Sequence, residues 1–257
     1  MAESDVARVA RWVREADVVT ALTGAGISTE SGIPDFRGPA GVWTKDPAAA
    51  RLFDFDAYVA DPQVRVAVWQ RRLEHAAWTA RPNAGHRALV DLERSGRLLD
   101  IVTQNIDGLH QAAGSDPDRV LEVHGSLHTV VCLSCGRRTP MADTLARLEA
   151  GEEDPTCLTC GGILKSGTIS FGQPLDPAVW RASVRAAAAC DVLLVVGSSL
   201  QVHPVASLCE VAKDAGARLV ILNAESTPYD RLADAVLAGP IGQVLPALVG
   251  SAATTRS

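Results

Sequence analysis

Two closely spaced pairs of cysteines constrain this chain more than any other feature of its sequence. Cys132 and Cys135 form one C-x-x-C pair, Cys157 and Cys160 form the other, and 21 residues lie between the pairs. Four thiolates at this spacing can surround one Zn²⁺ ion tetrahedrally. Because such a cage leaves no coordination position for water, the sequence predicts a structural metal site and places the chemistry elsewhere in the chain.

The composition favours a globular protein and restricts its partners. Hydrophobic residues make up 47% of the 257 residues, charged residues make up 21%, and the formal net charge is −6. This acidic balance argues against broad binding to nucleic acid or anionic lipid. The sequence shows no signal peptide and no run of about 18 apolar residues, so we expect a cytoplasmic protein that binds no membrane. In that reducing compartment Cys190 and Cys209, which lie in apolar surroundings, are expected to be buried, inert thiols.

Short apolar runs alternate with helical patterns along most of the chain. The runs predicted to be buried strands are 18–23, 98–103, 192–197 and 218–223. Helix-period stretches cover 5–16, 83–95 and 204–215. This alternation predicts an α/β fold, a Rossmann-like parallel sheet with helices on both faces. Each predicted strand ends in a polar or glycine-rich segment, and ligands bind such sheets beyond the carboxyl ends of the strands.

Two stretches interrupt this alternation. Residues from 36 to about 80 predict a helical insertion with helices over 53–59 and 63–78, and residues of about 126–167 hold the cysteine pairs around a helix at 142–150. We expect these stretches to form a small lobe, with the ligand cleft between the two lobes. Residues 1–257 are thus predicted to be one catalytic domain, whose large lobe comprises about 1–35, 81–125 and 168–257.

The segment Gly24-Ala25-Gly26 follows the first predicted strand. Glycines at this place let backbone N–H groups approach a pyrophosphate at the start of a helix. Thr29 stands where the G-x-G-x-x-G pattern has its third glycine, and no acidic residue is evident after the second strand. The segment therefore predicts a dinucleotide site of variant form, although the two glycines alone would equally suit a simple tight turn.

Five separated motifs, in order over about residues 5–250, resemble the signatures of the sirtuins, which are NAD-dependent protein-lysine deacylases. The first contains the block Gly32-Ile33-Pro34-Asp35-Phe36-Arg37, and the third, Leu121-Glu122-Val123-His124-Gly125, carries the residue that matches the catalytic histidine. The motifs are 24–28 with 30–37, 103–110, 121–125, the four cysteines, and 197–200 with 222–223.

The resemblance implies a role for each matching residue. His124 is implied to be the general base, with Asn105 as its catalytic neighbour. Ile169, Phe171 and Gly172 match the segment that pairs with the substrate backbone and lines the acyl-lysine tunnel. The four cysteines are implied to hold one structural Zn²⁺. The residues implied to contact NAD are Gly24, Ala25, Gly26, Thr29, Asp35, Phe36, Arg37, Gln104, Asn105, Ile106, Asp107, His124, Gly197, Ser198, Ser199, Asn223, Ala224, Glu225 and Ile241.

The reaction implied by the resemblance moves an acyl group from a protein lysine to ADP-ribose. NAD is the co-substrate, and the products are nicotinamide, free lysine and 2′-O-acyl-ADP-ribose. An imidazole with a pKa near neutrality suits the deprotonation of the ribose 2′-hydroxyl. The resemblance implies acyl-lysine proteins as partners, and we expect a monomer.

Differences from the family pattern leave the acyl group open. Thr168 and Gln173 alter the wall and the edge of the substrate groove. Desuccinylase-type sirtuins carry a Tyr and an Arg in the helical insertion, and the stretch 68–73 here has no Tyr, although Arg71 or Arg72 could substitute. We therefore expect uncharged acyl groups, acetyl first. Protein mono-ADP-ribosyl transfer, long-chain deacylation and a non-catalytic NAD sensor or zinc-knuckle module remain alternatives.

The other histidines are expected to be structural. His110 lies inside a signature but is interpreted as a packing residue, and His128 is not needed as a metal ligand because four thiolates satisfy tetrahedral zinc. The remaining surface or packing histidines are His75, His86 and His203.

Overall fold

The computed structural model describes residues 4–36, 38, 41–45 and 51–250. Arg37, predicted to contact the cofactor, lies outside the described residues. The strands are β1 (Val19–Thr23), β2 (Leu98–Thr103), β3 (Val120–Glu122), β4 (Gly125–Cys132), β5 (Arg138–Pro140), β6 (Leu164–Thr168), β7 (Val192–Val196), β8 (Arg218–Leu222) and β9 (Ala235–Leu237). The α-helices are α1 (Asp5–Glu15), α2 (Val42–Lys45), α3 (Phe55–Ala60), α4 (Pro62–Leu73), α5 (Ala84–Arg94), α6 (Leu109–Ala113), α7 (Met141–Glu149), α8 (Pro177–Ala189), α9 (Leu208–Asp214) and α10 (Ile241–Val249).

A parallel sheet forms the centre of the large lobe. Within the described part of the chain its strand order is β3-β2-β1-β7-β8-β9, and every neighbouring pair is parallel. The chain leaves β1 toward β2 and β3 on one side and later builds β7, β8 and β9 on the other. The order therefore reverses between β1 and β7, which is where open α/β sheets bind ligands. The predicted Rossmann-like sheet is confirmed, and the four predicted strands are present.

Helices cover both faces of this sheet, as predicted. On one face α1, α5 and α10 contribute the fully buried Val9, Leu89 and Leu245. On the other face α8 and α9 contribute Ala187 and Leu208. Burial of each large aliphatic side chain stabilises the fold by about 1.5–3 kcal/mol.

A capping box starts α5 at the residue that the sequence pattern suggested. The Asn83 side chain accepts hydrogen bonds from the N–H groups of Gly85 and His86, and the His86 ring accepts one from the Asn83 N–H. Satisfying these backbone donors is worth about 0.5–2 kcal/mol and fixes the helix start. The same Asn83 amide donates to Ile27 O at 2.7 Å, which ties α5 to the segment after β1.

The small lobe combines the helical insertion with the cysteine module. An antiparallel sheet of order β5-β4-β6 packs with α7 and α4 around one core, in which Trp69 and Leu127 are fully buried. The sequence pattern did not predict these strands, because β5 has three residues and β6 contains Lys165 and Ser166 without a regular apolar alternation.

The predicted helix over 63–78 is wrong in its extent. Helix α4 ends at Leu73, and a 3-10 turn covers Ala76–Trp78. His75 Nδ1 accepts the Ala77 N–H at 3.1 Å, so this side chain begins a new turn instead of continuing the old helix. The predicted helix 204–215 is similarly divided into a 3-10 turn at Val205–Ser207 and α9.

The segment after Gly24 is a 3-10 helix, Ala25–Ser31, where a helix was predicted. No helix of the described residues combines the length and the apolar character that a bilayer crossing needs.

Candidate active site

The carboxyl ends of β1 and β7 meet through direct backbone contact. Gly24 N–H donates to Val196 O at 3.0 Å, and Gly26 N–H donates to Gly197 O at 2.8 Å. A Cβ at Gly26 would lie 2.7 Å from Gly197 Cα, and a Cβ at Gly24 would lie 2.7 Å from Gly197 O. Gly197 itself has φ 64°. The three glycines are thus required by a close crossing of two loops at the point where the strand order reverses.

Thr29 stabilises the 3-10 helix that follows. Its hydroxyl donates to Gly26 O at 2.9 Å, and the helix ends at Gly32, which is left-handed with φ 87°. A threonine can stand at the position of the third glycine here because its side chain is exposed and its hydroxyl bonds back to the loop.

A buried polar network links the loop after β1 to the loop after β2. The Asn105 amide donates to Gly24 O and Ser28 Oγ, both at 3.2 Å. Ser28 Oγ donates to Asp107 Oδ2 at 2.7 Å, and Asp107 Oδ1 accepts the Leu109 N–H at 2.9 Å. Asn105 and Asp107 are buried, with 9% and 6% exposure. The Asn105 Nδ2, the Ser28 hydroxyl and both Asp107 oxygens all have partners, and the two bonds of Nδ2 determine the orientation of the Asn105 amide.

Gln104 extends this contact to β7. Its Nε2 donates to Ser198 Oγ at 2.8 Å, and Ser198 Oγ also accepts the Leu200 N–H at 3.2 Å. Leu200 has φ 52°, an unusual backbone state for a branched residue, which marks the Ser198–Leu200 loop as held by its surroundings.

His124 lies just beyond β3, beside the same edge of the sheet. Its Nδ1 lies 3.1 Å from Gln104 O. A carbonyl only accepts, so Nδ1 carries the proton and Nε2 is left with its lone pair. Burial lowers the pKa of His124 below 6.5, and the hydrogen bond to the Gln104 carbonyl opposes this effect. The neutral ring is therefore the main form at pH 7, as a general base requires.

Two other histidines form a buried pair with tilted rings, and one of them bonds the end of β1. His110 Nε2 lies 2.9 Å from Thr23 Oγ1, and Thr23 Oγ1 donates to Thr103 Oγ1 at 2.8 Å. The Thr23 hydroxyl proton is thus used, so His110 donates from Nε2. The ring of His86 lies 5.1 Å from that of His110, centroid to centroid. Burial is the main cause of their lowered pKa values, which are about 4 for His86 and about 3 for His110.

The segment 169–173 runs from His124 to the helical insertion. Ile169 N–H donates to His124 O at 2.7 Å. The Phe171 N–H donates to Phe53 O at 2.8 Å, and the Phe171 carbonyl accepts the Phe55 N–H at 2.9 Å. The Ser170 N–H donates to Gln173 Oε1 at 3.0 Å. Phe171 is half exposed, at 49%.

Backbone groups of this segment are therefore unequally available. The N–H groups of Ile169, Ser170 and Phe171 are all bonded, whereas that of Gly172 has no partner within the described part of the chain. Gly172 also has φ 87°, which only glycine adopts without strain.

The loop before the insertion is organised by Asp35. Its carboxylate accepts the Gly38 N–H, and its carbonyl accepts the Val42 N–H, both at 2.9 Å. Phe36 packs edge-on against Phe53 with 5.7 Å between ring centroids. The loop is thus joined to the strand-like segment that holds Phe171.

The remaining predicted cofactor residues have mixed surroundings. Asn223 follows β8 and bonds Glu225 O at 2.8 Å, while Ala224 and Glu225 are exposed. Ile241 is 8% exposed and belongs to the core between the sheet and α10. Residues with partly exposed side chains at the edge of the sheet are Ala25, Ile106 and Ser199.

The four predicted metal ligands lie together. The ligand atoms of Cys132, Cys135, Cys157 and Cys160 are all within 4.8 Å of one another. The Sγ atoms of Cys132 and Cys160 are 3.5 Å apart, and those of Cys135 and Cys157 are 3.8 Å apart. Tetrahedral Zn–S bonds of about 2.3 Å place sulfurs about 3.8 Å apart. These thiols fit one Zn²⁺, and His128 is not among them, since its Nε2 bonds Asp107 O at 3.0 Å.

Sequence reasoning missed Ser28, Thr23 and Thr103 as parts of the site. Ser28 is 1% exposed and bridges Asn105 to Asp107. Its position inside the 24–28 motif was the available signal, because a serine buried beside two glycines must satisfy its hydroxyl. Both threonines end buried strands, and Thr103 also opens the 103–110 motif, whereas Thr23 carried no signal of its own.

The fold and this site define a dinucleotide-binding α/β protein with a four-thiolate metal module. The sequence profile of the Sir2 family matches residues 24–204. A Streptomyces coelicolor protein named NAD-dependent protein deacetylase 2 is 54% identical over 232 residues, which cover 90% of this chain and 96% of that protein. NAD-dependent protein deacetylase 1 of Bradyrhizobium diazoefficiens is 42% identical over 250 residues, 96% of each chain. This chain belongs to the Sir2 family.

Solved structures agree with this assignment. A Sir2 enzyme structure that addresses mechanism and regulation is similar with a TM-score of 0.87 and 38% identity, covering 96% of each chain. A structure of Sir2 with a p53 peptide and NAD⁺ is similar with a TM-score of 0.83 and 31% identity, covering 93% of this chain and 95% of that one.

Proposed function

We propose that this protein is an NAD-dependent protein-lysine deacetylase, which transfers the acetyl group of acetyl-lysine to ADP-ribose and releases nicotinamide. The position of His124 carries this proposal. Its ring bonds Gln104 O, at the edge where the cofactor is proposed to bind, and its carbonyl accepts the N–H of Ile169, where the proposed substrate segment begins. One residue thus connects the two halves of the site.

His124 is the proposed general base. Its Nε2 lone pair can accept the proton of a ribose hydroxyl, and the bond from Nδ1 to Gln104 O stabilises the protonated ring that results. NAD supplies the ribose and the departing nicotinamide. The amide of Asn105, held by Gly24 O and Ser28 Oγ, is the proposed catalytic neighbour that orients the reacting groups.

The proposed NAD site follows the carboxyl edge of the sheet. The crossing of Gly24, Gly26 and Gly197 brings the two loops together at the switch point of the sheet, the place where such folds bind a pyrophosphate. The relatives named NAD-dependent protein deacetylases support NAD as the co-substrate. The remaining cofactor residues named from the sequence, Arg37 included, are part of the same proposal.

The proposed peptide site uses the segment 169–172. Structures of Sir2 with an acetylated peptide and with a propionylated peptide support an acyl-lysine substrate. The free N–H of Gly172 is the group that we expect to bond the peptide backbone, because those of the three preceding residues are already bonded. Phe171, half exposed, and Ile169 are proposed to line the lysine tunnel.

The wider organisation is also proposed. Residues 1–257 act as one catalytic domain, with a helical insertion at about 36–80 and a structural zinc module at about 126–167, which share one core through Trp69 and Leu127. We propose a monomer that binds no nucleic acid and resides in the cytoplasm, since thiolate metal ligands need a reducing compartment.

Mass spectrometry of an acetyl-lysine peptide incubated with NAD tests this function. We expect equal amounts of nicotinamide, deacetylated peptide and O-acetyl-ADP-ribose, abolished by His124→Ala and retained by His203→Ala, which changes an exposed histidine. Nicotinamide release with ADP-ribose on protein would establish the transferase instead. Absence of turnover on every acyl chain would contradict an enzymatic role.

A further inference from the structure

Two buried cations converge on one residue between the helical insertion and the cysteine module. Lys165 in β6 is 4% exposed, and its ammonium donates to Thr168 O at 2.5 Å. Arg72 in α4 reaches Thr168 Oγ1 at 3.4 Å. The two positive groups therefore lie near each other at the end of the same strand, where little water screens them.

No carboxylate of the described residues neutralises this pair. The nearby Asp154 is bound by Arg65, whose Nε contacts its two oxygens at 3.1 and 2.9 Å. Neither Arg72 nor Lys165 makes an ion pair within the described part of the chain, and burying an unpaired charge costs several kcal/mol. An Arg side chain cannot avoid this cost by losing its proton.

Donors in this region also exceed acceptors. Arg72 Nε is buried and has no hydrogen-bond partner among the described residues. Trp69 Nε1, one turn earlier on α4, is likewise buried and without a partner there. Residues three apart lie on the same face of a helix. The hydroxyls of Ser166 and Thr168 are buried and bond each other at 2.9 Å, which leaves one hydroxyl proton of the pair as a further donor beside Lys165.

We propose that a small inorganic anion of the size of chloride binds between Arg72 and Lys165. Such an ion would neutralise two converging positive charges and accept the hydrogen bonds that the protein leaves unmade. It would also connect α4 to β6, and thereby hold the helical insertion against the cysteine module. None of these residues belongs to the cofactor edge, but Thr168 was assigned to the wall of the substrate groove, so the tests below measure stability and anion binding instead of activity.

Deprotonation of Lys165 is the competing way to relieve the repulsion. Burial, and then the charge of Arg72, lower the pKa of Lys165 to about 7. A neutral amine would still donate to Thr168 O. The two explanations differ in one respect: only a bound anion makes stability depend on the identity of the salt.

Thermal unfolding of the zinc-loaded protein in matched salts distinguishes them. At constant ionic strength, sodium gluconate, whose anion is too large for the site, would be replaced stepwise by chloride, nitrate or formate. We expect a saturable rise in Tm with the small anions, of about 5–10 °C at 100 times the dissociation constant. An equal Tm in all salts, with stability rising as pH increases through 7, would overturn the proposal in favour of a neutral Lys165.

Charge-removing variants test the location. Arg72→Met and Lys165→Met should abolish the anion-dependent rise, whereas Arg71→Met, an exposed position on the same helix, should retain it. In gluconate each of the first two variants should be at least as stable as the wild type, because one repelling charge is gone. An increase in Tm with small anions that persists in both variants would show that the anion binds elsewhere.

Crystals soaked in bromide give a direct measurement that does not depend on the stability of any variant. An anomalous peak within contact distance of Arg72 Nη2 and Lys165 Nζ is expected. Bromide peaks confined to exposed arginines and lysines would contradict the proposal.

Discussion

At the scale of single residues, the site depends on side chains whose protonation is fixed by their partners. His124 must donate from Nδ1, since Gln104 O can only accept, and His110 must donate from Nε2 to Thr23. The first arrangement leaves a basic nitrogen available for chemistry. The second uses the ring to support the end of β1, which agrees with a structural role for His110.

The first prediction concerns pH. Deacetylation of a peptide should increase with pH through an acid limb whose midpoint lies below 6.5, because the neutral ring is the base and burial lowers the pKa of His124. The measurement is kcat/KM between pH 5 and 8. A midpoint at or above 6.5 would mean that the ring is more exposed to water, or closer to an anion, than the structure shows.

The second prediction concerns Ser28. Ser28→Ala removes one partner from each of Asn105 and Asp107 in a buried network. We expect a loss of stability of about 1–3 kcal/mol and a fall in kcat of roughly a hundredfold through misplacement of the Asn105 amide. Ser207→Ala, which removes a surface hydroxyl bonded to Pro204 O, is the control. Equal effects of the two substitutions would show that Ser28 has no positioning role.

At the scale of elements, the sequence predicted the long apolar strands correctly but did not predict the short strands. The predicted strands at 18–23, 98–103, 192–197 and 218–223 were confirmed as β1, β2, β7 and β8, because buried parallel strands are continuous apolar runs. Strands β3 and β9 have three residues each, too few for any period, and their pairing depends on neighbours distant in sequence.

Helices α2, α6, α8 and α10 were missed, and the two longest of these, α8 and α10, were missed for different reasons. Helix α8 begins with Asp176 as N-cap and Pro177 at its first turn, a start signal that was present in the sequence. Helix α10 contains Pro246, which argues against a helix locally. Its packing against α1 and α5 overrides that preference.

The candidate site was predictable to the extent that its motifs are local. The four cysteines cluster as the spacing suggested, whereas the hydrogen-bond partners of Ser28, Thr23 and Thr103 could not be inferred, because these bonds join residues about 80 positions apart.

The third prediction tests the loop crossing. Gly26→Ala would place a Cβ 2.7 Å from Gly197 Cα, where backbone cannot move away easily. We expect destabilisation of about 1–3 kcal/mol, measured by denaturant unfolding. Gly242→Ala is the matched control, since its Cβ would meet only the flexible carboxylate of Glu30. If both variants were equally stable, the crossing would not require glycine at residue 26.

At the scale of the whole molecule, the two insertions act as one body. Arg65 of the helical insertion holds Asp154 of the cysteine module in a partly buried ion pair, with side chains 11% and 28% exposed. The shared core around Trp69 strengthens this connection. Disorder in the cysteine module should therefore reach α4 and the segment that contains Phe171.

The fourth prediction concerns the metal. Chelation, or Cys132→Ser, should destabilise β4, β5 and β6 and abolish deacetylation, because metal binding and folding are coupled in such modules. Zinc content, Tm and activity would be measured together. Cys190→Ser, at a buried thiol outside the cluster, should keep one zinc per chain. Normal stability and activity after complete metal loss would contradict a structural role.

The main-chain hydrogen bonds of Phe171 have a consequence for which acetylated proteins the enzyme can act on in the cell. The insertion already occupies its backbone groups, and among the N–H groups of residues 169–172 that of Gly172 alone has no partner in the described part of the chain. A single main-chain donor beside a lysine tunnel discriminates little between flanking sequences. Under the proposed function, the acetylated proteins that this enzyme acts on would share no consensus motif. They would be those whose modified lysine lies in a loop or tail flexible enough to become extended, so that the conformational freedom of the target determines the range of substrates.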